Sequence, residues 1–275
     1  MEKQSLPLTN TLYKNSLPKF LVLAGDGVNC ESETAAAFLH AGGAAEIVHI
    51  NRLLENPQQL SGYDGLALPG GFSFGDELGS GQLLALKIRA QLGDIFRDFT
   101  ARKKPVIGIC NGFQVLVRLG LLPFPDAPRA AALAVNNHGE FMNKWADLKT
   151  DSSSVCLWTK NMEDISLPVR HKEGRIVLTP GAEKDVYKML VKNGQIPLRY
   201  TSDINGSYER IAALCDPSGL ILGMMPHPEA FVFQATNKQR HHNPLEKGAG
   251  LQLFENILRY LKGAESDREG LQRHG

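Results

Sequence analysis

From Lys19 onward, short apolar runs alternate with stretches of helical character. FLVLA is followed by ESETAAAFLHA, then by AEIVHI, a polar segment and DGLALP. Such alternation is typical of βα units that build a parallel sheet. We therefore predict an α/β fold in which an open, mostly parallel sheet is flanked by helices.

The rest of the chain adds further predicted elements. Apolar residues recur at three- and four-residue spacing from about Gln82, which predicts a long helix. PVIGI follows as a strand and enters NGFQVLVRLGLLP, a short helix ending at Gly120. AALAV, SVCLW and GRIVLT are predicted as shorter strands, and 183–193 as a helix. ERIAALCD and LILGMM flank a Pro-Ser-Gly turn and predict a hairpin, before a last helix near 250–262.

Composition fits one globular domain. The 275 residues are 43% hydrophobic and 21% charged, without a repeat or a break in composition. We predict a single domain over 19–262, an N-terminal extension over 1–18 and a polar tail over 263–275. Thirty Lys and Arg against 29 Asp and Glu leave a net charge of +1, so neither nucleic acid nor an anionic membrane is an expected partner.

Cysteine spacing argues against metal and disulfide scaffolds. The four cysteines, at 30, 110, 156 and 215, form no CxxC pair and no tight Cys/His cluster in the sequence. The N-terminus has no apolar core like that of a signal peptide, and no run approaches the roughly 18 apolar residues of a membrane span. We expect a cytoplasmic protein without a metal, in which all the cysteines except Cys110 are structural.

Cys110 is set apart by its neighbours. Gly108-Ile109-Cys110-Asn111-Gly112 follows an apolar strand and precedes a helix. This spacing is typical of a nucleophile elbow, a tight turn whose neighbouring positions must lack a Cβ atom. The helix start would favour the thiolate, the form that attacks carbonyl carbons. We predict that Cys110 is a nucleophile; the alternative is a small buried cysteine that merely ends a core strand.

A base and an acid follow the hairpin in Met225-Pro226-His227-Pro228-Glu229. The proline after His227 favours extended geometry, in which side chains two residues apart point to one side. Glu229 could then hold one ring nitrogen and leave the other free to accept the thiol proton. An HxE pair alone is weak evidence, and its weight comes from its combination with the Cys110 turn.

A glycine loop begins at the end of the DGLALP strand. LPGGFSFGD at 68–76 lies at the carboxyl edge, where open α/β sheets place their sites. A backbone N–H of this loop, together with that of Asn111, would form an oxyanion hole. A turn that only reverses the chain is the alternative. AGDG at 24–27 lacks both the GxGxxG pattern and a Walker lysine, and is given no nucleotide role.

Taken together, LPGGFSFGD, GICNGFQ and MPHPE resemble the class I, or triad, glutamine amidotransferases. GFSFGD, CNGFQ, NGSYERIA and the final HPE are similar to one branch in particular, the glutaminase subunit of phosphoribosylformylglycinamidine synthase. The resemblance runs from about Lys19 to Lys262. It implies a single amidotransferase-like domain.

Residue by residue, the resemblance implies Cys110 as nucleophile and His227 with Glu229 as the rest of a triad. It also implies that Gly71 and Asn111 donate to the oxyanion. The implied contacts to bound glutamine are Gln114, Gly70, Phe72 and His171. The last of these lies in PVRHKEGR, which resembles the family's His-Gly-Glu-Gly-Arg loop and has Lys172 where glycine is usual.

The implied chemistry is hydrolysis of glutamine to glutamate and ammonia through a cysteine thioester. The ammonia would serve ATP-dependent amidation of formylglycinamide ribonucleotide in purine biosynthesis. No cofactor is expected in this chain, since ATP and Mg are used by the partner synthetase subunit. A small bridging subunit is a further candidate partner.

Two alternatives stay open. One is another cysteine hydrolase of the same fold, such as a peptidase or a deglycase-like protein. The other is a catalytically silent subunit that only scaffolds its complex. Ammonia release from glutamine, with and without a synthetase, distinguishes them.

Overall fold

A computed structural model describes residues 17–125, 127–237 and 246–272 of the chain. Most of the predicted N-terminal extension, residues 1–16, lies outside the described residues. No helix in the described part of the chain is long and apolar enough to cross a membrane.

Strands form much of the described chain. They are β1 (Lys19–Ala24), β2 (Ala44–His49), β3 (Gly65–Leu68), β4 (Val106–Ile109), β5 (Ala131–Val135), β6 (Met142–Thr150), β7 (Ile165–His171), β8 (Glu173–Leu178), β9 (Leu198–Tyr200), β10 (Ile211–Cys215) and β11 (Ile221–Met224).

The helices lie mainly between the strands. They are α1 (Glu31–His40), α2 (Ile50–Glu55), α3 (Gln82–Ala101), α4 (Asn111–Leu119), α5 (Glu183–Lys192) and α6 (Leu251–Gln272). Short 3₁₀ turns include Ser73–Asp76 in the glycine loop and Pro228–Phe231 after the hairpin.

One large sheet organises the molecule. It has nine strands in the order β2-β1-β3-β4-β11-β10-β9-β6-β7, and β5 pairs with β8 in a separate two-stranded sheet. The pairings among β2, β1, β3, β4 and β11 are parallel, and the remaining pairings of the large sheet are antiparallel. The predicted open α/β sheet flanked by helices is confirmed.

The strand order explains where the site lies. The chain steps from β1 outward to β2 and then returns past β1 to β3, so the direction of winding reverses between β1 and β3. Crossovers between parallel strands are right-handed, so α1 and α3 cover opposite faces. A reversal of this kind opens a crevice at the carboxyl ends of the two strands. The loops after β1, β3, β4 and β11 converge at this edge.

Burial follows from this layering. The inner strands β3, β4, β10 and β11 are buried at every position, since helices or further chain cover both faces. Aromatic packing ties α1 to the sheet, with the Phe20 and Phe38 rings stacked at 4.0 Å between centroids. The loops at the carboxyl edge are therefore held on a rigid core.

Three sequence predictions of elements need correction. SVCLW is not a strand: Trp158 is fully buried and donates from Nε1 to Leu220 O, so this segment packs on the sheet as a loop. The polar segment after β2 contains α2, which the sequence analysis did not predict. The last helix runs to Gln272 and not to 262, because no proline interrupts the helix-forming residues that follow.

Candidate active site

Cys110 occupies a strained turn between β4 and α4. Its backbone has φ 51° and ψ −105°, which is unusual for a residue with a Cβ atom. Its N–H donates to Met224 O at 2.7 Å, which fixes the turn against β11. A Cβ atom at Gly108 would lie 2.6 Å from Gly112 O, and one at Gly112 would lie 1.9 Å from Leu68 O. The predicted elbow, including its need for two glycines, is confirmed as part of the fold.

His227 and Glu229 meet beside this turn. His227 Nδ1 lies 2.6 Å from Glu229 Oε1, and both side chains are buried. His227 is extended, with φ −104° and ψ 91°, as the following proline predicts. Glu229 lies in a 3₁₀ turn and not in an extended segment. The predicted extended backbone is therefore found at His227 alone. The backbone N–H of His227 donates to Pro168 O at 2.8 Å, which ties the pair to β7.

The surroundings of His227 favour its protonated form. Burial acts to lower the pKa of the imidazole, but the Glu229 carboxylate and the thiols of Cys110 and Cys30 beside the ring outweigh burial. The pKa of His227 is raised well above its ordinary value. Its Nε2 is buried and forms no hydrogen bond with the described residues. The ring therefore has one nitrogen held by Glu229 and one available for chemistry.

The glycine loop is braced by the loop after β1. Phe72 N donates to Gly27 O at 2.7 Å, and Asn29 N donates to Gly70 O at 3.2 Å. Between these bonds, Val28 and Gly71 face each other as a non-hydrogen-bonded pair, so Gly71 N–H points away from the bracing loop. The AGDG segment thus has a structural role that the sequence analysis did not predict.

Gly71 is required at its position. Its φ is 143°, and a Cβ atom there would lie 2.6 Å from Gly27 O. Gly71 lines the same cavity as Cys110, and Asn111 N–H opens α4 without an intrahelical partner. The two predicted oxyanion donors are therefore both placed around Cys110.

Buried amides connect the elbow to the neighbouring loops. Asn111 Nδ2 donates to Asp76 Oδ1 at 3.1 Å and to Gln114 Oε1 at 3.0 Å. Asn111 Oδ1 accepts from Ser73 N at 3.3 Å. Gln114 Nε2 donates to Glu173 O. The Gln114 amide thus ties α4 to the first residue of β8, and its predicted contact with glutamine stays a prediction.

His171 is buried at the same edge. Its Nδ1 lies 3.1 Å from Asn136 Oδ1, and Asn136 Nδ2 donates to His171 O at 2.9 Å. Burial, reinforced by the charge of His227, lowers the pKa of His171 to about 3, so it is neutral near pH 7. A Cβ atom at Gly174 would lie 2.3 Å from His171 Nδ1. The glycine that this chain keeps from the family's His-Gly-Glu-Gly-Arg loop is therefore needed.

Lys172 does not disturb that loop. Its backbone lies outside the left-handed region, so the position does not require glycine. Its carbonyl accepts from Asn136 N at 2.8 Å.

The cavity beside Cys110 is small. It has a volume of about 30 Å³ and is lined in part by Gly71, Phe72, Gln114 and His171. Phe72 is 44% exposed and its ring lies 6.2 Å from that of Phe141, which is 49% exposed. The structure thus brings three of the predicted glutamine contacts, Phe72, Gln114 and His171, to the cavity, and the fourth, Gly70, lies beside Cys110.

Cys30 belongs to this site, although the sequence analysis assigned it a structural role. One ligand atom from each of Cys30, His227 and Glu229 lies within 4.8 Å of the others. The sequence contains no Cys/His cluster, but the fold forms one, because loops far apart in sequence meet at the sheet edge. The signal available in the sequence was the position of Cys30 at the end of the first βα turn. Cys156 and Cys215 are buried in the core, as predicted.

Comparison with known proteins agrees with this arrangement. Residues 17–261 match the model of the CobB/CobQ-like glutamine amidotransferase domain. The phosphoribosylformylglycinamidine synthase subunit PurQ of Methanococcus maripaludis is 37% identical over 271 residues, covering 89% of this chain and 98% of that protein. The PurQ of Dehalococcoides mccartyi is 37% identical over 249 residues, with 89% and 98% covered.

A solved structure extends the comparison to the fold. The structure of PurLQS from Thermotoga maritima contains a chain with a TM-score of 0.70 and 31% identity, and the match covers 89% of this chain and 99% of that one. Fold, elbow and sequence agree: this chain belongs to the glutamine amidotransferase family and is a homologue of the PurQ subunits.

Proposed function

We propose that this chain is the glutaminase subunit of phosphoribosylformylglycinamidine synthase. The observation that carries the proposal is the strained Cys110 turn beside a buried His227–Glu229 pair bonded at 2.6 Å. The PurQ homologues identify the branch of the family in which this chemistry operates. The reaction converts glutamine to glutamate and ammonia.

The first half of the reaction forms a thioester. The Cys110 proton passes to His227 Nε2, where the raised pKa of the imidazole holds it, and the resulting Cys110 thiolate then attacks the glutamine amide carbon. His227 then gives a proton to the leaving nitrogen, which departs as ammonia. Glu229 holds Nδ1, keeps the ring oriented and stabilises the imidazolium, in line with the raised pKa of His227.

The oxyanion of the tetrahedral intermediate needs donors on the side opposite the base. Asn111 N–H is one candidate because it stands at the unpaired start of α4. Gly71 N–H is the other, since the bracing loop leaves it directed away from Val28. Two such donors would lower the barrier by several kcal/mol, at about 3 kcal/mol each.

The second half releases glutamate. Water activated by His227 attacks the γ-glutamyl carbon, and the thioester breaks to restore Cys110. These steps need no metal or redox cofactor in this chain. The synthetase uses ATP and Mg to activate formylglycinamide ribonucleotide, which accepts the ammonia.

The partner follows from the reaction. The protein called PurQ in each relative is a synthase subunit, and PurLQS is a complex, which supports a synthetase partner for this chain. A small bridging subunit is proposed as a third component. The cytoplasm is the proposed location, because a reducing environment with nucleotide substrates suits both halves of the reaction.

The Cys110→Ala variant in the reconstituted complex tests the function. We expect glutamine-dependent synthesis to vanish while synthesis from added ammonium salts persists, because only the ammonia source is removed. Cys215→Ala is the control, since Cys215 lies in the core away from the site. Glutamine-driven turnover in Cys110→Ala would contradict the proposal and leave a scaffold role as the better interpretation.

A further inference from the structure

The side chains of Cys30, Cys110 and His227 meet beside Gly70. A Cβ atom at Gly70 would lie 2.8 Å from His227 Cε1, 3.3 Å from Cys30 Sγ and 3.5 Å from Cys110 Cβ. These three side chains come from the loops after β11, β1 and β4. The glycine leaves the space between them unfilled. We propose that this space is a binding site for Zn²⁺, with Cys30, Cys110 and His227 as ligands.

The ligand chemistry fits the ion. Zn²⁺ prefers thiolate and imidazole donors, at about 2.3 Å and 2.0 Å, which places neighbouring donors of a tetrahedral site about 3.6 Å apart. The Cys30, His227 and Glu229 donor atoms already lie within 4.8 Å of one another. Cys110 Sγ lies outside this group of donor atoms, and rotation about the Cα–Cβ bond of Cys110 would bring the sulfur toward the ion. On binding, each thiol and His227 Nε2 give up a proton to solvent.

His227 is arranged as a metal-binding imidazole. Its Nδ1 is held by Glu229 Oε1 at 2.6 Å, while Nε2 is buried without a hydrogen bond to the described residues. A carboxylate on the other ring nitrogen orients metal-bound histidines and strengthens their bond to the ion. Glu229 serves this purpose here without itself binding the ion. The fourth position is left to water.

Occupation of the site stops the chemistry. The ion takes the Cys110 sulfur that would attack glutamine and the His227 nitrogen that would accept its proton. Zn²⁺ is thus a reversible inhibitor and not a cofactor. Cys110 and His227 supply two ligands, and Cys30 supplies the third. Only the inhibition rests on the proposed function, whereas binding rests on the geometry alone.

Metal titration of the full chain tests the proposal. The chain is stripped with a chelator and titrated with Co²⁺, which reports thiolate ligands through charge-transfer absorption, and Zn²⁺ affinity is then measured by competition. We expect one ion per chain with two thiolate bonds. Cys30→Ala and Cys30→Ser should each halve the charge-transfer intensity and weaken Zn²⁺ binding at least about tenfold. Cys110→Ala should have the same effects.

Controls separate the site from other cysteines. Cys215→Ala should keep the wild-type affinity, and thermal unfolding checks that every variant is folded. Zn²⁺ inhibition is measured relative to each variant's own rate without metal, and Cys30→Ser should need at least about ten times more Zn²⁺ to halve that rate. Equal Zn²⁺ affinity and equal Co²⁺ absorption in wild type and Cys30→Ser would overturn the site. Binding without inhibition would overturn its inhibitory role.

Discussion

At the residue scale, the buried His227–Glu229 pair makes a ranked prediction. We expect His227→Ala to lose nearly as much glutaminase activity as Cys110→Ala, because the base and the nucleophile act as a unit. Glu229→Gln should retain roughly a hundredfold more activity than His227→Ala, since an amide oxygen can still accept from Nδ1–H. The measurement is kcat/KM for glutamine in the partner complex. Greater damage from Glu229→Gln than from His227→Ala would reverse the assigned roles.

His171 makes a prediction about pH. Its pKa is lowered to about 3 in the folded chain, whereas the unfolded chain binds this proton near pH 6.5. The contribution of neutral His171 to stability is therefore complete above about pH 6.5 and is lost as pH falls toward 3. Between pH 7 and pH 5 the loss is about 2 kcal/mol.

The test compares wild type with His171→Asn, which removes the titrating group while an amide can still bond to Asn136. The free energy of unfolding is measured by urea titration at pH 7 and pH 5. We expect the difference between the two proteins to shrink by about 2 kcal/mol at the lower pH. A constant difference would mean that His171 does not titrate as described.

Individual site residues differed in how visible they were in the sequence. Cys110 could be predicted because its chemistry and its steric needs leave a local pattern of two glycines. His227 and Glu229 were visible because they lie two residues apart. Cys30 left only the weak signal of its position after the first βα turn, and Asn136 left none, because each acts through a contact made across more than thirty residues of sequence.

At the scale of elements, the packing of α4 on β3 makes a prediction about the elbow. Gly112→Ala would place its Cβ atom 1.9 Å from Leu68 O, a backbone atom that cannot rotate away. We expect a loss of about 1 to 3 kcal/mol in the free energy of unfolding, and a lower glutaminase rate as Cys110 shifts.

Gly93→Ala in α3 is the matched control. A Cβ atom there meets nothing within 4 Å, and alanine is the better helix former by about 1 kcal/mol. We expect this variant to be slightly more stable than wild type and fully active. Equal stability of both variants would mean that the helix start is less tightly packed than the structure indicates.

Element prediction succeeded where periodicity was strong. The apolar rows of α3 and the hairpin of β10 and β11 could be recognised because each repeats a local pattern. SVCLW reads as a strand from its composition, but the burial of Trp158 and its bond to Leu220 determine a loop. Such contacts depend on the whole fold, and a local window does not contain them.

At the scale of the whole molecule, the cavity beside Cys110 is narrow. Its volume of about 30 Å³ leaves little room beside the thiol, so we expect the lining to open when glutamine binds. The glycine loop is pinned by the loop after β1, and these hydrogen bonds restrict its movement. The more exposed part of the cavity's boundary is Phe72, with Phe141 beside it.

We therefore expect the isolated chain to hydrolyse glutamine poorly and the synthetase to activate it. Phe72 lines the cavity and Phe141 lies beside it, and this exposed aromatic pair is suited to contact a partner. Phe141→Asp should raise the synthetase concentration needed for half-maximal activation at least about tenfold, because a charge enters an apolar contact.

Glutaminase turnover is measured alone and with the synthetase and its nucleotide ligands. Leu39→Asp on α1 is the control, since Leu39 is 56% exposed on a helix that follows β1. Equal turnover with and without the partner would argue for a free-standing amidase. Equal effects of the two substitutions would argue that the aromatic pair is not the contact.

The φ of 51° at Cys110 also bears on the evolution of such chains. Glycine adopts this conformation freely, whereas a residue with a side chain bears a cost of about 1 to 3 kcal/mol. Mutation toward glycine at this position would thus be rewarded by selection for stability alone. In a lineage that retains cysteine here, selection for turnover maintains the residue. In a lineage whose subunit served only as a structural part of its complex, this thiol would be lost before other residues of the site.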